Sequence, residues 1–134
     1  MGTATNWTDL ELSHGHTCAL NSDGEIWCWG RNQSGELGRG TQTSSEPTPA
    51  QTGNDSDWVF ITTGGNHSCA TKENGTLHCW GENLNSQLGD GTTNQGLSPV
   101  AINRPSAWKF LSSGEDSSHQ CGIKVDGSLW CWGN

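Results

Sequence analysis

A chain of 134 residues with six Lys and Arg against fourteen Asp and Glu carries a formal charge of -8, which opposes the phosphate contacts that dominate nucleic-acid affinity, so no nucleic-acid partner is expected. Only 30% of it is hydrophobic, with 19 glycines and 8 tryptophans, so burial must come from a few large rings on short strands joined by turns. No apolar run reaches the roughly 18 to 20 residues of a membrane helix, and the opening MGTATNW lacks the basic and apolar regions of a secretion signal, so no membrane insertion is expected.

In chain order, Trp7 opens a unit that returns at Trp58 and Trp108. Each Trp is followed by one phrase: HTCALNSDGEIWCWG (16–30), HSCATKENGTLHCWG (67–81) and HQCGIKVDGSLWCWG (119–133). Polar loops with a shared skeleton follow the first two, NQSGELGRGT (32–41) and NLNSQLGDGT (83–92), and proline-bearing segments, PTPAQT (47–52) and SPVAI (98–102), lead to the next Trp. The repeats therefore run over 7–57 and 58–107, with a partial third over 108–134. Each holds three or four short apolar segments set between Gly, Asn, Asp and Pro, with no helical period. The fold class is all-β, in antiparallel blades of about four strands, the unit size of a β-propeller. No proline-bearing segment precedes Trp7, so the first blade is expected to be short of a strand unless residues 1–6 or a neighbour supply it.

The repeated phrase has a register. If Ser22-Asp23-Gly24 is a three-residue hairpin loop with Gly24 in the left-handed region, Cys18 falls opposite Cys28. Loops ending in Gly75 and Gly127 set Cys69 opposite Cys79 and Cys121 opposite Cys131 in the same way. Opposed strand residues lie within disulfide reach, so three intra-hairpin disulfides are expected, and with them an oxidising, extracytoplasmic or secreted setting. Two other readings stay open: reduced core thiols, and metal binding by His16/Cys18, His67/Cys69 and His119/Cys121, although the close C-x2-C knuckles usual for zinc are absent. Strand alternation puts His16, Cys18, Leu20, Ile26 and Cys28 on one face and Thr17, Ala19, Trp27 and Trp29 on the other.

Taken together, the Trp, the His-x-Cys, the Asp-Gly-x-Ile-Trp-Cys-Trp-Gly and the Gly-x-Leu-Gly-x-Gly-Thr resemble the regulator of chromosome condensation repeat, especially its cysteine-bearing bacterial versions. The resemblance covers nearly all of residues 7 to 134 and implies a propeller, commonly of seven blades. It also implies that the glycines of Gly35-Glu36-Leu37-Gly38 and the counterpart Gln87-Leu88-Gly89 shape the loop between strands. Ser86 replaces the first glycine in the second copy, so a different loop is expected there. Trp7, Trp27, Trp29, Trp58, Trp80, Trp108, Trp130 and Trp132 are assigned to blade packing and assembly.

Members of that family include nucleotide exchange factors for small GTPases, ubiquitin-ligase scaffolds and a secreted inhibitor of β-lactamase, so the fold does not name a function. The sequence has no G-x-S-x-G, P-loop or H-E-x-x-H, and its carboxylates are scattered in turns. No catalytic residue, metal or cofactor is expected. The reading is a non-enzymatic protein-binding or scaffold module. A lectin-like propeller stacking glycans on exposed Trp is the alternative, and a small-GTPase exchange factor the third choice, with no exchange motif to support it. Two and a half repeats cannot close a circle, so the chain itself, as a homo-oligomer, is an expected partner beside an unidentified protein.

Overall fold

Three antiparallel sheets, one per repeat, are built from strands taken in sequence order. The computed structural model describes residues 4–103 and 107–134, so part of the 1–6 segment invoked for a missing strand lies outside the described residues. Blade 1 holds β1 (Trp7–Leu12), β2 (His16–Asn21), β3 (Ile26–Arg31) and β4 (Ser45–Gln51). Blade 2 holds β5 (Trp58–Thr63), β6 (His67–Lys72), β7 (Leu77–Gly81) and β8 (Gly96–Ile102). Blade 3 holds β9 (Trp108–Ser112), β10 (His119–Lys124) and β11 (Leu129–Gly133).

The turns set the register. Gly24, Gly75 and Gly127 adopt φ of +75°, +80° and +84°, a region closed to most L-residues. Each hairpin then pairs its cysteines directly: Cys18 with Cys28, Cys69 with Cys79 and Cys121 with Cys131. All three pairs are disulfide-bonded, with Cα atoms 4.1 Å apart. The proline-bearing segments form the outer strands β4 and β8, where a residue without an N–H leaves no ladder bond unmade.

This placement corrects one expectation. The first blade is complete, because the proline strand closes its own repeat and does not open the next one. Among the described residues it is blade 3 that has three strands, leaving β11 as its edge.

A second expectation, of a different loop at Ser86, is also corrected. Ser86 takes φ +57°, alone among the described non-glycine residues in being positive, while Gly35 at the matching place has +79°. The turn bonds are the same in both copies. In the first, Gly35 N donates to Asn32 O and Gly38 N to Gly35 O; in the second, Ser86 N donates to Asn83 O and Gly89 N to Ser86 O. The neighbouring bonds impose the left-handed turn at a cost of about 1 kcal/mol for a residue with a β-carbon. Ser86→Gly is therefore expected to raise stability by up to about 1 kcal/mol in urea unfolding; an unchanged or lower midpoint would contradict the strain.

Candidate functional site at the blade junctions and loops

The core lies between the sheets. At the first junction Cys18, Leu20, Ile26, Cys28 and Leu37 of blade 1 share one buried cluster with Trp58, Ile61, Ala70 and Trp80 of blade 2. The Glu36 carbonyl is its polar anchor, accepting from Trp80 Nε1 at 2.8 Å and from Ser68 Oγ at 3.0 Å. Gly38 must be glycine twice over, with φ +66° and a Cβ position only 2.7 Å from Trp80 Nε1. His16 stands beside this anchor, its Nε2 2.9 Å from Ser68 Oγ and its Nδ1 2.7 Å from Ser13 Oγ. Since the Ser68 hydroxyl donates to Glu36, Nε2 carries the imidazole proton. Burial, with smaller contributions from His67 and Arg31, lowers the His16 pKa to about 3.

The second junction repeats the plan. Cys69, Leu77, Cys79 and Leu88 of blade 2, with Ile102, pack against Trp108 and Leu111 of blade 3, with Trp132 at the margin. Trp132 Nε1 donates to Gln87 O at 3.0 Å, and Gly89 leaves the room that its indole needs. His67 lies fully buried where His16 lay in blade 1. Burial lowers its pKa to about 4, against a raising contact with Gln120 and with a smaller lowering contribution from His119.

The hairpin ends fasten the junctions as well. Trp58 N donates to Gly24 O across the first junction, while Glu73 N donates to Asp57 O and Val125 N to Ala107 O within their own blades. A Cβ at Gly24 would strike Ser56 O, and one at Gly75 would strike Ala107, whereas Gly127 has open space. Blade 3 thus carries the same turn with no described residue packed at its glycine.

Both outer faces are halves of the same junction. On blade 1, Trp7 is 41% and Leu10 53% exposed, while the matching Trp58, Trp108, Ile61 and Leu111 are 2%, 6%, 0% and 1% exposed. On blade 3, Ile123 and Leu129 are exposed where Leu20, Thr71, Ile26 and Leu77 are buried. The exposure reaches the disulfide: Cys18, Cys28, Cys69 and Cys79 are buried, Cys121 is half-buried and Cys131 is exposed. In dilute solution a dithiol reductant is expected to open Cys121–Cys131 well before the other two, since exchange needs access to sulfur. Differential alkylation with peptide mapping checks this; simultaneous opening of all three would contradict it.

At the end of the blades opposite the hairpins, the loops 32–44 and 83–95 form a polar ledge. A buried Asn holds each one. Asn32 Nδ2 donates to Thr41 O and Thr43 Oγ1 while its Oδ1 accepts from Leu37 N; Asn83 Nδ2 donates to Thr92 O and Asn94 O while its Oδ1 accepts from Leu88 N. Glu36, fully buried, faces Arg31 at 3.4 Å, and in the second loop Gln87 donates to Glu82 at 3.2 Å. The ion pair of one copy thus stands where the other has a hydrogen bond. Gln95 Nε2 donates to Gln42 Oε1 at 3.1 Å, joining the two loops side by side. Gln33, Gln42, Leu84, Asn85 and Gln95 point outward from them.

The structure separates residues that the sequence reading groups together. Trp80 and Trp132 dock on the preceding blade, whereas Trp27 packs edge-on against Trp7 within its own blade and donates to Glu25. Lys124 sits over the rings of Trp108 and Trp130. Trp58 and Trp108 are buried and so closed to glycan stacking, while Trp29 is half-buried on the outer face of blade 1. The paired cysteines leave no thiolate for a metal, and no group of three or more His, Cys, Asp or Glu suited to one occurs among the described residues. Sequence reasoning misses the loop-holding Asn32 and Asn83 and the carbonyls of Glu36 and Gln87; the signal is the recurrence of Asn directly after WG-x.

Blades of one repeated pattern, packed face to face through buried indoles, make this a β-propeller repeat protein. Sequence models described as "Regulator of chromosome condensation (RCC1) repeat" match residues 23–71 and 74–119, and in a second form 7–36 and 58–87. The chain belongs to the RCC1 repeat family. It is 36% identical over 121 residues to the RCC1 domain-containing protein RUG3, mitochondrial, of Arabidopsis thaliana, covering 88% of this chain and 27% of that one. The Protein RCC2 homolog of Danio rerio is 38% identical over 89 residues, covering 65% of this chain and 18% of its own. The chain therefore spans about a quarter or less of these relatives. Among solved structures, human WBSCR16 superposes with a TM-score of 0.87 at 20% identity, over 99% of this chain and 34% of that one. Yeast RCC1 (Prp20), solved with Kap60, gives 0.82 at 20% identity over 99% and 31%.

Proposed function

We propose that this chain is a non-enzymatic scaffold module that binds a protein partner through the ledge of loops 32–44 and 83–95. The observation that carries the reading is the preorganisation of that ledge: buried Asn32 and Asn83 fix the two loops, and Gln42 and Gln95 join them. A surface already fixed before binding avoids the ordering cost that a mobile loop would meet. Its outward groups are neutral amides and hydroxyls with one exposed leucine, Leu84, a mixture suited to protein contacts and devoid of an arranged acid, base and nucleophile. Protein binding by a relative of the same fold, yeast RCC1 with Kap60, supports the class of partner. We place its work in an oxidising compartment, where three disulfides are maintained.

The test is quantitative affinity isolation with the wild-type chain, a ledge variant (Gln42→Ala, Leu84→Ala, Asn85→Ala, Gln95→Ala) and a hairpin-end control (Glu73→Ala, Val125→Ala). A protein kept by wild type and control but lost by the ledge variant is the expected result. Partners lost only with the control would overturn the assignment of the surface.

A further inference from the structure

Five tripeptides fit the acceptor pattern for N-linked glycans, in which Ser or Thr stands two residues after Asn: Asn6-Trp7-Thr8, Asn32-Gln33-Ser34, Asn54-Asp55-Ser56, Asn66-His67-Ser68 and Asn74-Gly75-Thr76. A glycan is bulky and stands in solvent, so the folded chain can carry one only where the amide nitrogen is open and uncommitted. Four of the five are held by the fold. Asn32 is fully buried, and its Nδ2 donates to Thr41 O and Thr43 Oγ1. Asn66 Nδ2 donates to Glu82 Oε2 at 3.4 Å, and Ser68 is sealed in the first junction. Asn6 Nδ2 donates to Asp23 Oδ2 at 2.6 Å. Asn54 is exposed, but Asp55 is tied to Lys72 Nζ at 2.9 Å and Ser56 O lies against the Gly24 turn.

Asn74 differs. It is exposed at the hairpin tip of blade 2, with a described blade on either side, so its exposure does not depend on what adjoins the outer faces. Its Oδ1 accepts from Thr76 N at 3.0 Å and from Thr76 Oγ1 at 2.7 Å, whereas its Nδ2 makes no hydrogen bond among the described residues. In blade 3 the same turn is made by Asp126, whose Oδ1 accepts from Ser128 N at 2.9 Å and from Ser128 Oγ at 2.6 Å, and blade 1 has Asp23 in that place. A carboxylate therefore does all that the turn requires, and the amide nitrogen of Asn74 has no structural task. We propose that Asn74 is an N-glycosylation site, whose substrate is an oligosaccharide carried on a lipid pyrophosphate. In the transfer the bond from Nδ2 to sugar C1 forms and the bond from C1 to the phosphate oxygen breaks. The lipid pyrophosphate leaves, and one amide proton passes to a base of the transferase. The assignment rests on the oxidising compartment proposed above for the three disulfides. The glycan stands at the hairpin end of the blades, opposite the loops 32–44 and 83–95, so it leaves the ledge open to a protein partner.

The test sends the 134-residue chain and the variants Asn74→Asp and Thr76→Ala through a secretory pathway that contains an oligosaccharyltransferase, and reads every acceptor by mass spectrometry of intact glycopeptides. The folded wild type, with its three disulfides verified by non-reducing peptide mapping, is expected to carry a glycan on Asn74 and none on Asn32 or Asn66. Both variants should lose it. Asn74→Asp keeps the turn acceptor that blade 3 uses, so its urea midpoint should equal that of unglycosylated wild type, separating lost modification from lost folding. A folded wild type with a bare Asn74, or a glycan on Asn74 that survives Thr76→Ala, would overturn the assignment. The same mapping of the chain purified from its own source separates the site from the compartment. A glycan on Asn74 there supports both. Intact disulfides beside a bare Asn74 would overturn the glycan and leave the compartment standing, whereas free thiols with a bare Asn74 would overturn both.

Discussion

Replacing Trp80 with alanine is expected to destabilise the chain by about 3–5 kcal/mol, the range for removing a large ring from a closed core. Trp80 is fully buried, packs against Trp58 with ring centroids 6.3 Å apart, and donates its indole proton to the Glu36 carbonyl. Its loss leaves a cavity at the junction and frees the loop of blade 1 from blade 2. Trp29, at the same place in the repeated phrase, lies half-buried on an outer face, and Trp29→Ala is expected to cost no more than about 1 kcal/mol in the dilute chain. Urea titration followed by circular dichroism measures both. Equal costs at the two positions would mean that the ring's value comes from its own blade and not from the junction.

Acid is expected to unfold the protein through its two buried histidines. Both fold with pKa values, about 3 for His16 and about 4 for His67, that lie below the value of about 6.5 for a free imidazole. Between those limits the unfolded chain binds more protons than the folded one, so stability is intact above about pH 6.5 and falls as pH drops toward 4 and then 3. Each unit of separation corresponds to about 1.4 kcal/mol, so the two together remove several kcal/mol, a large share of an ordinary domain's stability. The double variant His16→Gln, His67→Gln should flatten the dependence between pH 4 and 6.5, whatever it does to stability at pH 7. An unchanged slope in that variant would assign the acid transition to other groups.

The hairpins are the most legible part of the sequence, because a glycine in a fixed turn place sets the register of every residue beside it. Cys18 opposite Cys28 follows from Gly24 alone, and two further copies of the turn agree. Strand alternation likewise places His16, Leu20 and Ile26 on one face; Leu20 and Ile26 are buried in the first junction, and His16 bonds across it to Ser68. What sequence does not convey is position within the stack. Trp29, Trp80 and Trp132 occupy one place in one phrase, yet among the described residues only the latter two dock on the loop of a preceding blade. The repeat bounds 7–57 and 58–107 hold each proline-bearing segment in its own blade, but the expectation of a short first blade places such a strand ahead of its tryptophan, because in the sequence each segment leads toward the next one. Pairing of β3 with β4 and of β7 with β8 decides the matter. Ser86 misleads because a missing glycine suggests a changed turn, whereas the turn is held by Asn83 and Gly89 around it.

The central claim is that blades are joined by an indole docked on the preceding blade's loop, and hydrogen exchange of the indole N–H groups tests it directly. Eight resonances, one for each tryptophan, can be assigned by single Trp→Phe replacements and followed by NMR after transfer to deuterated buffer. The Trp80 N–H, buried and bonded to Glu36, should exchange far more slowly than that of Trp27, which is bonded to the surface carboxylate of Glu25. Exchange of Trp80 as rapid as that of Trp27 would contradict the docked junction.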